Sequence, residues 1–494
     1  MFSVRKEINI VIVIIVLVLF LTGCFKNEKS EITKRNNIAN VYVEVVPASQ
    51  KIDSFEVIIG TYLGNETRNY YGDNPPDKLN LKWKHFLGKG KSEDKHGNYK
   101  EWFGSGWTGQ PLLTKEQGKL FVYIGALDYN LKKIDAETGK LIWQYKFDDA
   151  IKGTGSVFVN SKSSSLKDRY TIIQGSKRGC GLSLGAKNCF SLRGISMIDG
   201  SEIWRYNVEQ TYSASRDVDG TPLIINDTII APLENGYLAF LNANSLTDDG
   251  KFNYPQEIEM VPLFNTKTKR KNLIAEGSPT LIGSVVYNTC GSGWIYGIEK
   301  STKEIKFEYY IGADLNGTSP VTNDSCLLVT VEKEYIQGSG GVLKIDPRKN
   351  SNDCVTWFFP TVNKGYADWS GGVIGSVSVS GNHCAFNGID GYLYLIDHSK
   401  IDPEKKTQGP DFKKTYPVPI QLDRKYIGPS ISTPIIVGNK IIACSYNGIY
   451  LFEIDRINKL VLLDKFVTGF EATPISFNGN IYVASRDGFL YCFE

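Results

Sequence analysis

An interval of fourteen residues recurs along this chain and restricts its folding more than any other feature. It separates the residue that opens an apolar run from the glycine of a later turn. The pairs are Pro222 and Gly236, Pro279 and Gly293, Val377 and Gly391, Pro434 and Gly448, and Pro474 and Gly488. Residues 432–455, STPIIVGNKIIACSYNGIYLFEID, show the unit whole. Three short apolar runs are joined by Gly/Asn turns, which reads as an antiparallel meander. An apolar or aromatic run follows each glycine: YLAFL, WIYGI, YLYLI, IYLFEI and FLYCF. Recurrence at one interval marks an array of small β units.

The units can be laid out in order. The first full repeat opens at Pro111 and ends in KLIWQYKF with Trp143. The second runs irregularly from GTGSVFV to Trp204, and the third to eighth open at Pro222, Pro279, Pro320, Val377, Pro434 and Pro474. The eighth stops at Glu494 after three strands, whereas LNLKWKHF near Trp83 is an outer strand without the other three. Partial units at both ends that sum to a whole predict a closed ring, since open arrays need caps. The expected fold is all-β: an eight-bladed β-propeller of four-stranded antiparallel blades, closed by the Trp83 strand. At about 52 residues per blade the period is slightly long for a propeller.

AETGKLIW (136–143) and DGSEIW (199–204), with GTP- and GSP-type openings, resemble the repeat of the pyrroloquinoline-quinone (PQQ) type propellers. That family holds quinoprotein alcohol dehydrogenases and the propeller lipoprotein of outer-membrane β-barrel assembly. The resemblance covers residues 78–494 and speaks for fold more than for function, because the repeat carries packing rather than chemistry. It implies either a scaffold that docks through exposed loops or an oxidoreductase that binds PQQ with calcium. A quinone site of that family typically has two adjacent cysteines, and none of the nine cysteines here are adjacent.

Arg5 and Lys6 precede an apolar stretch from Ile8 to Leu21, followed by Leu21-Thr22-Gly23-Cys24. The first part reads as a secretory signal, too short for a confident membrane span. The second resembles a bacterial lipobox, which implies cleavage before Cys24 and its lipidation. The expected plan is a signal peptide at 1–23, a lipid-anchored tether and short extension at 24–77 with strands near Val41–Val46 and Phe55–Tyr62, and the propeller at 78–494. The expected address is the extracytoplasmic side of the cell envelope, with the membrane and an envelope protein or small ligand as partners. With 56 basic and 53 acidic residues, nothing in the charge favours nucleic acid.

No catalytic or metal constellation emerges. Four scattered histidines include no pair at ligand spacing. Gly181-Leu182-Ser183-Leu184-Gly185 matches a hydrolase elbow only in letters, because it sits in a loop bracketed by Cys180 and Cys189. Those two cysteines are the best candidates for a disulfide in an exported chain. A binding site is predicted at one mouth of the ring. Asp219, Glu276 and Glu471 each stand three residues before an opening proline, so a circular repeat places them at one height. Arg216, Trp107 and Trp369 lie in the lead-in loops and are expected to join them. A concave, partly aromatic, acidic mouth suits a cation or a basic partner loop. The bland alternative is that each carboxylate accepts N–H bonds within its own turn.

Overall fold

The computed structural model describes residues 54–94, 97–265 and 268–494. The signal, Cys24, the strand expected at Val41–Val46 and His96 lie outside them. Within them, eight small antiparallel sheets succeed one another around a ring. Blade one is representative, with Leu112–Glu116, Lys119–Gly125, Asn130–Asp135 and Leu141–Lys146 running from the axis outward. The fourteen-residue interval has a backbone cause. Gly236, Gly293, Gly391 and Gly488 all turn into the third strand with φ of 95°, 88°, 94° and 95°, where a side chain would be strained.

The ring closes as the partial repeats require. Leu81–Phe86 pairs antiparallel with Phe489–Phe493, setting Leu81 opposite Phe493 and Phe86 opposite Phe489. Blade five departs from four strands: Leu327–Val331, Gly341–Ile345 and Val355–Pro360 form its ladder, and its opening run is reduced to a Val321–Leu327 bridge. Thr322 Oγ1 accepts the Cys326 N–H at 3.1 Å, closing the turn before a longer ladder can form.

The core lies between blades rather than within them. Val122 and Ile124 face blade eight in one cluster with Tyr482 and Leu490, while Tyr123 between them faces blade two with Ile172 and Ile195. Alternate residues of an inner strand therefore serve opposite neighbours, and the strand is apolar throughout. Every adjacent pair of blades shares such a cluster among the described residues.

The outer-strand tryptophans bridge the same gaps. Trp83 Nε1 donates to Ala136 O of blade one (3.0 Å), Trp143 Nε1 to Met197 O of blade two (3.2 Å) and Trp357 Nε1 to His398 O of blade six (3.0 Å). The Trp83 ring lies flat over Gly139, where an added Cβ would come within 2.7 Å of it, and φ there is +71°. Both effects oppose a side chain, so Gly139→Ala should cost about 1–3 kcal/mol in denaturant unfolding. An unchanged midpoint would mean that this contact gives way freely.

The extension expected near Phe55–Tyr62 has a definite place. Phe55–Ile59 pairs with Leu112–Glu116 and gives blade one a fifth strand. The chain then crosses the far end of the channel as a plug. Gly60, Glu66, Thr67 and Tyr71 carbonyls accept N–H groups from Val157, Leu281, Val321 and Ser476, on blades two, four, five and eight. Innermost strands are edges with unpaired donors facing the axis, and the plug satisfies these four. Tyr62, Leu63 and Arg68 are each 0% exposed as a result.

Candidate functional site

The opposite end, where inner strands begin, is built by the eight lead-in loops. Residues of these loops bond from one blade to the next. Gln110 N donates to Thr154 Oγ1 (2.7 Å), Thr221 N to Ser278 Oγ (3.0 Å) and Ser278 N to Thr318 Oγ1 (2.9 Å). Thr318 N reaches Ser376 Oγ (2.9 Å) and Ser376 N reaches Thr433 Oγ1 (2.7 Å). Two residues before these positions the chain lines the mouth. Blades two to five supply Lys152, Asp219, Glu276 and Asn316, blades six and seven supply Ile374 and Ile431, and blade eight supplies Glu471.

The polar arc is strongly acidic. Carboxylate oxygens of Asp219, Glu234 and Glu276 lie within 4.8 Å of one another, and Lys152 Nζ forms an ion pair with Asp219. Burial works against charge on Lys152, but Asp219, Glu234, Glu276 and Asp217 outweigh it and raise its pKa. Burial pushes Glu276 up to about 8, the Lys152 ammonium opposing and Asp219 reinforcing the shift. Burial likewise raises Glu234 and Asp217, with neighbouring carboxylates adding to it. Glu234 accepts Ser215 Oγ at 2.6 Å on one oxygen; its other oxygen and Asp219 Oδ1 have no hydrogen-bond partner. Asn316 extends the arc outward, donating to Glu332 (2.8 Å), which groups with Asp314 and Glu334. Burial raises Asp314 to about 7.

The other arc is apolar and aromatic. Trp107 is 8% exposed and packs with Ile374, Ile389 and Ile431, while Trp369 and Tyr446 lean on that cluster. Tyr446 stacks on Tyr366 at 5.3 Å and on Trp369 at 6.5 Å between centroids. Glu471 borders this arc, 3.3 Å from Arg486 Nε and 3.4 Å from the Tyr446 hydroxyl. Burial raises its pKa.

Two expectations from the sequence require correction. Arg216 does not turn toward Asp219. It is 1% exposed and donates to the Val208, Leu184 and Ala186 carbonyls at 2.6–2.9 Å, holding the loop between Cys180 and Cys189 from beneath. The disulfide expected between Cys180 and Cys189 is not formed: both thiols are free. Cys180 faces Lys91 O, whereas Cys189 is buried against Arg178 O, Ser191 and Arg216 O. The residue that the sequence reading missed is Lys152. A signal existed, because Lys152-Gly153-Thr154 has the spacing of Asp219-Gly220-Thr221 and Glu276-Gly277-Ser278. Blade two has no proline to mark it.

These residues do not fit a quinone–calcium pair. The Lys152 ammonium already sits among the carboxylates that a calcium ion would need, and Trp107 is packed into an apolar cluster rather than laid open as a floor. What the mouth can do is recognise a cationic group beside an aromatic surface.

Residues 106–248 match the sequence model of a family described as outer membrane protein assembly factor BamB. No curated protein matches the chain. Among solved structures, BamB from Moraxella catarrhalis is 12% identical with a TM-score of 0.50, over 84% of this chain and 99% of that one. Quinohemoprotein alcohol dehydrogenase from Comamonas testosteroni is 13% identical with a TM-score of 0.52, over 88% and 80%. The computationally designed Ika8 protein is 9% identical with a TM-score of 0.50, over 76% and 92%. At such identities the structures speak for the fold alone. Ring closure and eight blades make this chain a β-propeller, within which residues 106–248 match the repeat model of that family.

Proposed function

We propose that this chain is an exported lipoprotein, anchored through Cys24, that serves as a binding scaffold in the cell envelope. Its mouth would receive a lysine- or arginine-bearing segment of an envelope protein. The observation that carries this reading is the imbalance of the polar arc. Asp217, Asp219, Glu234 and Glu276 surround one ammonium, that of Lys152, and Asp219 Oδ1 and Glu234 Oε1 have no hydrogen-bond partner. An incoming cation finds acceptors already in place, with Tyr366, Trp369 and Tyr446 beside them to add contact area. The family description of an assembly factor supports a protein partner.

The test is a photo-crosslinker placed at Asn316 in the mouth or at Val467 on the rim, in cells that make the protein natively. A defined envelope partner should crosslink from Asn316 and not from Val467. The double change Asp219→Asn, Glu276→Gln should reduce that product at least tenfold, while Cys24→Ala releases the chain from the membrane fraction. Equal crosslinking from the rim, or no effect of the double change, would remove the mouth from this role.

A further inference from the structure

The plug carries a full positive charge into the closed end of the channel. Arg68 is 0% exposed. Its Nε donates to Pro279 O at 2.9 Å, and Nη1 donates to Thr61 Oγ1 at 2.7 Å and Tyr62 O at 2.8 Å. All three acceptors are neutral. No carboxylate among the described residues forms an ion pair with Arg68; Glu66 acts on it electrostatically but is exposed and makes no contact with the guanidinium. Nη2 is buried with no hydrogen-bond partner, and so is the hydroxyl of Thr280, which follows the Pro279 that Arg68 binds.

A carboxyl in this position would neutralise itself by taking up a proton. A guanidinium does not escape in that way. Burial lowers the Arg68 pKa only to about 9, which leaves it charged at neutral pH. A buried charge with no ion-pair partner is among the most costly features a fold can hold. We propose that a small monovalent anion of chloride size sits against Arg68 Nη2 inside the plugged end of the channel. Charge fixes the class. One guanidinium balances one negative charge, whereas a phosphate would bring excess charge and more acceptor oxygens than the site has free donors. A water molecule would occupy Nη2 but leave the guanidinium without an ion-pair partner.

The full-length protein decides the matter. Melting temperature is followed in sodium gluconate as chloride or bromide replaces gluconate at constant ionic strength, and crystals are grown from bromide. A saturable rise in melting temperature with halide is expected, with a bromine anomalous peak within hydrogen-bonding reach of Nη2. Arg68→Gln should lose both. If that variant does not fold, the wild-type bromide data decide alone. A halide series that matches gluconate overturns the proposal, and so does density beside Nη2 without a bromine signal. A crystal peak with no shift in solution also counts against it, as binding at crystal concentration only.

Discussion

Truncation after Gly488 is expected to abolish cooperative unfolding altogether. The lost strand, Phe489–Phe493, lies between Asn480–Ala484 and the N-terminal Leu81–Phe86 and joins the two ends of the chain. Leu490, Tyr491, Cys492 and Phe493 are all nearly or fully buried and divide between the clusters facing blades seven and one. Removing one large buried side chain costs about 3–5 kcal/mol. Losing the three large groups together, about 9–15 kcal/mol, is comparable with the roughly 5–15 kcal/mol that holds a domain together. A milder change on the same seam, Trp83→Ala, removes the ring over Gly139 and the bond to Ala136 O. It should cost about 3 kcal/mol and leave a folded ring. Near-ultraviolet circular dichroism during a thermal melt separates the cases. A sharp transition in the truncated chain would mean that seven and a half blades hold without the seam.

Lys152→Met is the second large effect, and pH sets its size. Taking one partner from a buried charge cluster costs about 3–5 kcal/mol. Here the carboxylates left behind can take up protons, so the loss should be greatest at alkaline pH and shrink on acidification. The wild type has the same slope in smaller measure. Burial holds Glu276 and Asp314 near pKa 8 and 7 in the folded chain, above the ordinary carboxylic-acid values of 4.5 and 3.8. Between those limits the native state holds more protons than the unfolded chain. The stability these two groups contribute is full below about pH 4 and is lost as pH rises toward 8. Urea unfolding of both proteins at pH 5.5 and 8.5 gives the comparison. An equal gap at both values would mean that the carboxylates are not what Lys152 holds together.

The repeat was legible because its constraints are local: a turn that demands positive φ at Gly236 or Gly488, and strands whose alternate residues all face a neighbour. Closure was legible because Trp83 carried the mark of an outer strand with nothing before it. The mouth could be read in part. A shared offset from proline brought out Asp219, Glu276 and Glu471 but passed over Lys152, whose repeat has no proline. Arg216 could not be placed, since a loop arginine that binds three carbonyls looks in sequence like one that faces a cleft. The plug was hidden for a different reason. It pairs through the backbone carbonyls of Gly60, Glu66, Thr67 and Tyr71 with strands up to 405 positions away, and backbone acceptors leave no trace in residue type.

The seam also imposes an order in time. Leu81–Phe86 has no partner until Phe489–Phe493 has been made, and Tyr71 O waits likewise for Ser476 N. At ribosomal rates the interval between those segments is on the order of tens of seconds. Throughout it, Leu81–Phe86 is an unpaired edge, the state in which chains associate wrongly. The internal blades can collapse as they appear, because their contacts span one repeat; the ring can be sealed only by Phe489–Phe493, through contacts of very large sequence separation. For this chain the ring cannot finish folding before Phe489–Phe493 is available.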